Sequence, residues 1–401
     1  MAPETRTDPV RGTQGWLRTA NDRAALRLFL DHGALTRTQL GELTGLSNPT
    51  ANQIAARLEA AGLITEVGQL TGRRGPSAAA YAIRPERAIG VAVDIDVAVV
   101  RSRVVDAVGS AHGTALAPKA GPGKDRSAVG DVTAAIEAAC ALAGVDTAAA
   151  RRVLVAVQGA VDPATDTVRF ADTLAGWPRR GARQQLATAL AVPVDIENDA
   201  NMAAVAERSA GAGAGAADFA YLWLGEGLGL AFDIGGQIHS GRTGGAGELG
   251  YLPAPWDVAR YQPGAVDMQG VAGGPAVLRL ARAAGIKARG YRNVIAALAD
   301  GVAAGAREQL LSALSERVAL LVVPVLALLE PERVVLGGPT GAAGGGALAA
   351  MVAAQVRGAT RWRPDVRATQ VAVDPVLRGA GEQLRTRLRA DLLAEVGGGS
   401  A

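Results

Sequence analysis

The stretch "VDIENDANMAAVAE" at residues 194–207 sets two acids and two amides, Glu197, Asn198, Asp199 and Asn201, between a strand-like run and a helix-like alanine run. Carboxylates and amides gathered where a strand ends suit the recognition of sugar hydroxyls, because they accept and donate hydrogen bonds at fixed positions. A carboxylate at such a place can also serve as a general base toward an attacking hydroxyl. Helix capping explains one polar residue at a helix start but hardly the whole group.

The elements that must carry these residues begin near Arg87, where strands start to alternate with helices. "AIGVAVDIDVAVVRSRVVDAVG" (88–109) reads as two successive strands, "RRVLVAVQGAV" (151–161) as a strand ending near Gly159, and "VPVDIEND" (192–199) as a strand followed by a helix. "FAYLWLGEGLGLAFDIGGQIHSG" (219–241) holds a strand, a glycine turn, a second strand and a hairpin, and "PERVVLGGPTGAAGGG" is a strand running into a glycine-rich loop. This alternation implies α/β layers around a mixed sheet, with binding sites where strands end in loops. The "AGAGAG" run at 210–215 is read as a loop, since no strand feeds it. The apolar stretch "VALLVVPVLALLEP" (318–331) is interrupted by Pro324 and ends at Glu330; it reads as a buried helix too short to span a bilayer.

The first third of the chain follows another plan. "NDRAALRLFLDHG" places Leu26, Phe29 and Leu30 on one helix face and stops at Gly33. "TRTQLGEL" sets Thr36 three residues before Gln39, a capping-box spacing. After a tight turn, "SNPTANQIAARLEAAGLI" opens with Ser47 as N-cap and Pro49 in the first turn; Ala51, Ile54 and Leu58 face inward. Ser47, Asn48, Thr50, Gln53 and Arg57 fall on the solvent side, and these side chains suit base-edge and phosphate contacts in a major groove. "LITEVGQLTGRRGPSAAAYAI" then reads as two strands around a wing whose Arg73 and Arg74 suit a minor groove or nearby phosphates. Helix, capped helix, turn, polar helix and basic wing in succession make a winged helix-turn-helix over 20–84, after a flexible stretch at 1–19.

With 401 residues and 49% hydrophobic content, the chain has material for two or three domains. Residues 1–87 hold eleven Arg, no Lys and eight acids, an excess of three positive charges that equals the net charge of the whole chain. That distribution is compatible with a polyanionic partner. The single cysteine, Cys140, excludes a disulfide framework and multi-cysteine zinc sites. His239 reads as a hairpin surface residue, and His32 and His112 lack acidic or cysteine partners at metal spacing. The N-terminal residues have no apolar core of the signal-peptide kind, so a cytoplasmic location is expected.

The motifs "IENDANMAA", "LGEGLGLAFDIGGQIHSGRTGGAGELGYLP" and "PERVVLGGP", preceded by a winged helix, resemble the ROK family of repressors, open reading frames and sugar kinases. The resemblance covers nearly the whole chain after residue 20. It implies a two-lobed actin-like ATPase fold closing on a cleft, with lobes at 88–200 and 201–396 and a C-terminal helix returning to the first. Members with a winged helix are typically transcription regulators, often sugar-responsive; members without one are commonly sugar kinases. By this resemblance Asp199 stands at the position of the family base, Asn198 binds sugar hydroxyls, and Glu248 accepts them.

The sequence departs from the family where phosphate and zinc are held. The first phosphate loop, usually Asp, an apolar residue, Gly, Gly and Thr, stands here as Asp94-Ile95-Asp96-Val97-Ala98. The second, usually Gly-Thr-Gly, is Gly225-Glu226-Gly227. Both glycines of the first loop are lost, so backbone cannot approach phosphate closely, and each loop gains an acid. Like charges about 4–5 Å apart repel by roughly 3–4 kcal/mol at an effective dielectric near 20. Two such contacts are comparable to the whole of a micromolar-to-millimolar nucleotide affinity, about 4–8 kcal/mol. Tyr251 replaces the family histidine that touches sugar and ligates zinc, and no cysteine follows it. Tyr251 keeps a hydroxyl to donate and a ring to stack on a sugar.

The expectation is a DNA-binding regulator that uses no cofactor or metal. A small molecule, a sugar or another metabolite, would be sensed by Asn198, Asp199, Glu248 and Tyr251, and a homodimer would bind a two-fold symmetric operator. The alternative is an active ATP-dependent sugar kinase fused to a DNA-binding domain.

Overall fold

The computed structural model describes residues 12–70, 77–96, 99–117, 127–169, 174, 176–255, 258 and 261–396. The chain opens with helix α1 (Gln14–His32), strand β1 (Leu35–Thr36), helices α2 (Arg37–Thr44) and α3 (Asn48–Ala60), and strands β2 (Ile64–Leu70) and β3 (Ala78–Ile83). The three strands form an antiparallel sheet in the order β1-β3-β2. Leu26, Phe29 and Leu30 of α1 are buried as the sequence indicates. The helix starts earlier than expected, because Thr13 caps it by accepting a hydrogen bond from the Trp16 N–H at 3.2 Å. Residues 14–19 are therefore helical, not part of a flexible leader.

Next come β4 (Ile89–Ile95), β5 (Val100–Asp106), β6 (Ala115–Ala117), α4 (Ala128–Ala143), β7 (Ala150–Val157), β8 (Ala160–Asp162), β9 (Thr167–Arg169), α5 (Ala182–Leu190) and β10 (Val194–Asn198). β10, β7, β4, β5 and β6 lie side by side in that order, with β4, β7 and β10 parallel. Every residue of β4 is buried, as befits a central strand covered on both faces. α4 packs against β5 and β6.

The remainder comprises α6 (Asp199–Ala210), β11 (Asp218–Leu224), β12 (Leu228–Ile234), β13 (Gln237–Ile238), α7 (Met268–Ala272), α8 (Gly274–Ala283), α9 (Tyr291–Asp300), α10 (Ala304–Leu329), β14 (Arg333–Gly337), α11 (Gly338–Ala359), β15 (Val366–Ala368) and α12 (Pro375–Glu395). Its sheet runs β13-β12-β11-β14-β15. Two expectations need correction here. The apolar stretch belongs to a 26-residue helix, α10, long and apolar enough by length and composition to cross a membrane, and Pro324 sits inside it. Leu310, Leu314, Val318, Leu321 and Val325 bury it instead in the core of this lobe. The glycine-rich run after β14 is not a loop: Pro339 lies in the first turn of α11, alanines carry the helix on, and Gly345 at φ 58° marks a kink.

α12 returns from the end of the chain to pack on β4, β5 and β7 and to cross α6. The crossing is close: a Cβ on Gly379 would overlap the carbonyl of Met202. One apolar cluster runs from Leu26 and Phe29 of α1 through Leu384, Leu388 and Leu392 of α12 to Met202 of α6. The winged helix thus shares its core with the helix that backs the first sheet.

Candidate functional site

In the winged helix, Thr36 and Gln39 form the capping box the spacing predicts: the Gln39 N–H reaches Thr36 Oγ1 at 3.2 Å, and the Thr36 N–H reaches Gln39 Oε1 at 2.9 Å. Ser47 is the N-cap residue of α3, but its hydroxyl meets Thr50 Oγ1 at 2.9 Å and caps no backbone N–H. Asn48 and Gln53 are exposed, and Ala51, Ile54 and Leu58 are buried. Arg57 departs from expectation. Its Nε donates to Asp22 Oδ2 at 3.0 Å, tying α3 to α1, so it braces the helix pair. Arg73 and Arg74 lie outside the described residues. A cation the sequence reading missed is Arg37 at the start of α2, held over the Tyr81 ring at 4.8 Å and donating to the Tyr81 hydroxyl at 2.7 Å.

The cluster at the end of β10 separates on folding. Asn198 Oδ1 caps α6 by accepting the Asn201 N–H at 2.9 Å, while its Nδ2 donates to the Gly159 carbonyl at 3.1 Å. Its amide pins β10 to the neighbouring loop with one donor and one acceptor. Glu197 turns to Arg387 of α12. Asn201 is 4% exposed, and its Oδ1 has no hydrogen-bond partner. Asp199 alone of the four has its carboxylate among the acids of the cleft. Oδ1 accepts the Ala200 N–H at 2.8 Å. Burial above all, then the nearby charges of Glu248 and Asp96, raises its pKa to about 7.

Glu248 follows Gly247, whose φ of 94° and whose contact with the Leu230 carbonyl leave no room for a side chain. Burial raises the Glu248 pKa to about 7. Asp94, at the end of β4, is also raised to about 7, first by burial; Arg101 opposes the shift, and Asp96 and Asp199 reinforce it. Asp96 and Asp199 thus lie near enough to act on Asp94, and Glu248 and Asp96 near enough to act on Asp199, which makes the four an acidic neighbourhood. Tyr251 ends a single 3-10 turn at Leu249–Tyr251 and is half exposed.

Arg101 was missed by the sequence reading, and only the pairing of β5 with β4 reveals it. Its Nη1 lies 3.4 Å from both Asp94 Oδ2 and Asp96 Oδ2, and its Nε lies 3.4 Å from Asp374 Oδ1. One cation is thus shared among three carboxylates, and the excess charge is negative. Glu226 projects from the β11–β12 turn, exposed, while its carbonyl receives the Gly274 N–H at 3.0 Å and Gln269 Nε2 at 2.8 Å. No group of three or more His, Cys, Asp or Glu side chains among the described residues is arranged to hold a metal ion. His239 is exposed, whereas His112 has an acidic neighbour after all, with Nε2 3.2 Å from Asp106 Oδ2.

Comparison with known proteins agrees with this architecture. Residues 18–65 match the model described as winged helix-turn-helix DNA-binding, and residues 127–382 match that of the ROK family. The bifunctional enzyme NanE/NanK of Brucella suis biovar 1 (strain 1330) is 31% identical over 236 residues, 59% of this chain and 43% of that protein. The chain therefore spans less than half the length of that relative. A solved ROK family transcriptional regulator, described as a homologue of the E. coli MLC protein, superposes with a TM-score of 0.69 at 18% identity, covering 95% of this chain and 99% of its own. The ROK hexokinase of Thermus thermophilus gives 0.59 at 24% identity, covering 76% and 99%. The chain, a winged helix joined to a sugar-kinase-like α/β fold, belongs to the ROK family.

Proposed function

We propose that this protein is a DNA-binding transcription regulator, a repressor, whose kinase-like cleft senses a small molecule instead of phosphorylating it. The observation that carries this reading is Asp96 in the first phosphate loop. Its carboxylate lies beside Asp94 and Asp374, with Arg101 as their shared cation. A triphosphate approaching there meets net negative charge and no glycine backbone. The solved regulator that matches almost the full length of both chains supports the same reading at the level of fold.

The ligand-facing groups are Asp199, Glu248 and Tyr251, acceptors and a hydroxyl suited to a sugar or another polyhydroxylated metabolite. Asn48, Thr50 and Gln53 of α3 read base edges, and a homodimer presents two such helices to a two-fold symmetric operator. Ligand that prefers one lobe arrangement shifts the spacing of the two winged helices. Selection from sheared genomic DNA tests the proposal. A few fragments sharing a two-fold symmetric sequence are expected, and uniform recovery contradicts it.

A second reading, an active sugar kinase, is favoured by Asp199 itself: a carboxylate titrating near 7 is poised as a general base. Coupled ADP release over a panel of hexoses and amino sugars separates the two. Turnover abolished by Asp199→Asn establishes the kinase.

A further inference from the structure

The second lobe carries a cation-rich surface that the cleft does not use. From Met268 to Ala299 the chain holds Arg279, Arg282, Lys287, Arg289 and Arg292 and not a single acid. The loop between α8 and α9 folds around a concavity of about 560 Å³ lined by Arg282, Gly285, Ile286, Lys287, Ala288 and Arg289. Arg282 shapes this wall: its Nε donates to the Ala288 carbonyl at 3.2 Å and its Nη2 to the Arg289 carbonyl at 3.3 Å. Those bonds hold the loop in place and present Lys287 and Arg289, both exposed, on the same concavity.

Two cations on the loop and a third, Arg282, in the last turn of α8 line the concavity together, and no acid lines it to compensate them. An anion entering there relieves their mutual repulsion. Arg offers a planar fork to phosphate and Lys a mobile point charge, a combination that suits phosphate oxygens better than a lone carboxylate.

We propose that this concavity is an anion site for a small molecule bearing phosphate groups, separate from the acidic cleft and independent of what the cleft binds. The site would give the protein a second chemical input.

Calorimetric titration of the full chain with pyrophosphate, fructose 1,6-bisphosphate and unphosphorylated fructose, at low and near-physiological salt, tests this. Both phosphorylated probes are expected to bind with sub-millimolar dissociation constants and fructose not to bind at this site. Lys287→Glu with Arg289→Glu should weaken the phosphorylated probes at least tenfold, and the milder Lys287→Ala with Arg289→Ala severalfold. A control pair of charge reversals at exposed positions that do not line the concavity, Arg183→Glu in α5 with Arg361→Glu beyond α11, should change them less than twofold. Three results overturn the proposal: no binding of either phosphorylated probe to the wild-type chain, equal weakening in the control pair, or binding abolished by Asp199→Asn. A Lys287/Arg289 variant that keeps pyrophosphate binding but loses affinity for duplex DNA also overturns it, assigning the surface to nucleic acid.

Discussion

The guanidinium of Arg389 on α12 donates to the main-chain carbonyl of Leu30, in the last turn of α1, at 2.8 Å. Its Nε donates to the carbonyl of Ala107, just beyond β5, also at 2.8 Å. Nearby, Arg23 Nε reaches the Leu393 carbonyl at 3.1 Å, and Arg87 pairs with Glu395 at 2.7 Å. At the other end of α12, Asp374 meets Arg101, and midway Arg387 pairs with Asp195 at 2.6 Å. A helix of 21 residues, about 31 Å long, therefore touches the cleft at one end and the winged helix at the other.

Arg389→Ala removes charged hydrogen bonds to two carbonyls and should cost about 1–3 kcal/mol of stability. The effect should concentrate where the winged helix docks. Amide exchange measured by mass spectrometry is expected to quicken in α1 and stay unchanged in α10. Uniform exchange throughout the chain would mean the contact does not hold the winged helix.

Gly379→Ala places a methyl against the Met202 carbonyl where α12 crosses α6. Backbone on both helices must shift, which should cost about 3 kcal/mol or more. The control, Gly381→Ala, sits in the same helix with only an ordinary contact to Val105 and should cost under about 1 kcal/mol. Equal melting temperatures for the two variants would contradict the close crossing.

Asp199 is raised to about 7 by burial first and by neighbouring acids second. The folded chain thus holds a proton that the unfolded chain has released between about pH 4 and 7. Stability contributed by this group is present at low pH, falls as pH rises through that window, and levels off above about 7. Asp199→Asn removes the dependence while keeping an acceptor for the Ala200 N–H. Urea unfolding should find the variant more stable than wild type by on the order of 1–3 kcal/mol at pH 8, with the gap closing near pH 4.5. A constant gap across that range would show that Asp199 titrates normally.

Much of this architecture was legible in the sequence because local chemistry decided it. Thr36 and Gln39 announced α2 by their spacing, and the apolar runs of β4 and β7 announced buried strands. The polar cluster at 197–201 was harder, because residue type does not reveal where a side chain points. Asn198 serves as a cap and Glu197 faces α12, as becomes clear only once β10 and α12 are side by side. Arg101 escaped notice for a related reason: its partners lie on β4, in the loop after β4, and at Asp374, joined by strand pairing and by a helix that returns from far along the chain. The glycines after β14 suggested a loop, yet packing made them helical.

On α3, exposure separates two roles. Asn48→Ala and Gln53→Ala remove exposed polar groups and should each cost roughly 1–3 kcal/mol of operator affinity while leaving the melting temperature near wild type. Arg57→Ala breaks the pair with Asp22 and should lower stability with little change in base preference. Competition binding alongside thermal melting distinguishes them. A loss of sequence preference in Arg57→Ala without loss of stability would return that residue to the DNA face.

The regulator proposed here stands or falls on recognition of one DNA sequence over others. Fluorescence anisotropy of the full chain on a duplex recovered by selection, against a scrambled duplex of equal length at near-physiological salt, measures it most directly. A preference of about a thousandfold or more is expected, with affinity falling steeply as salt is raised. Equal affinity for the two duplexes would contradict it.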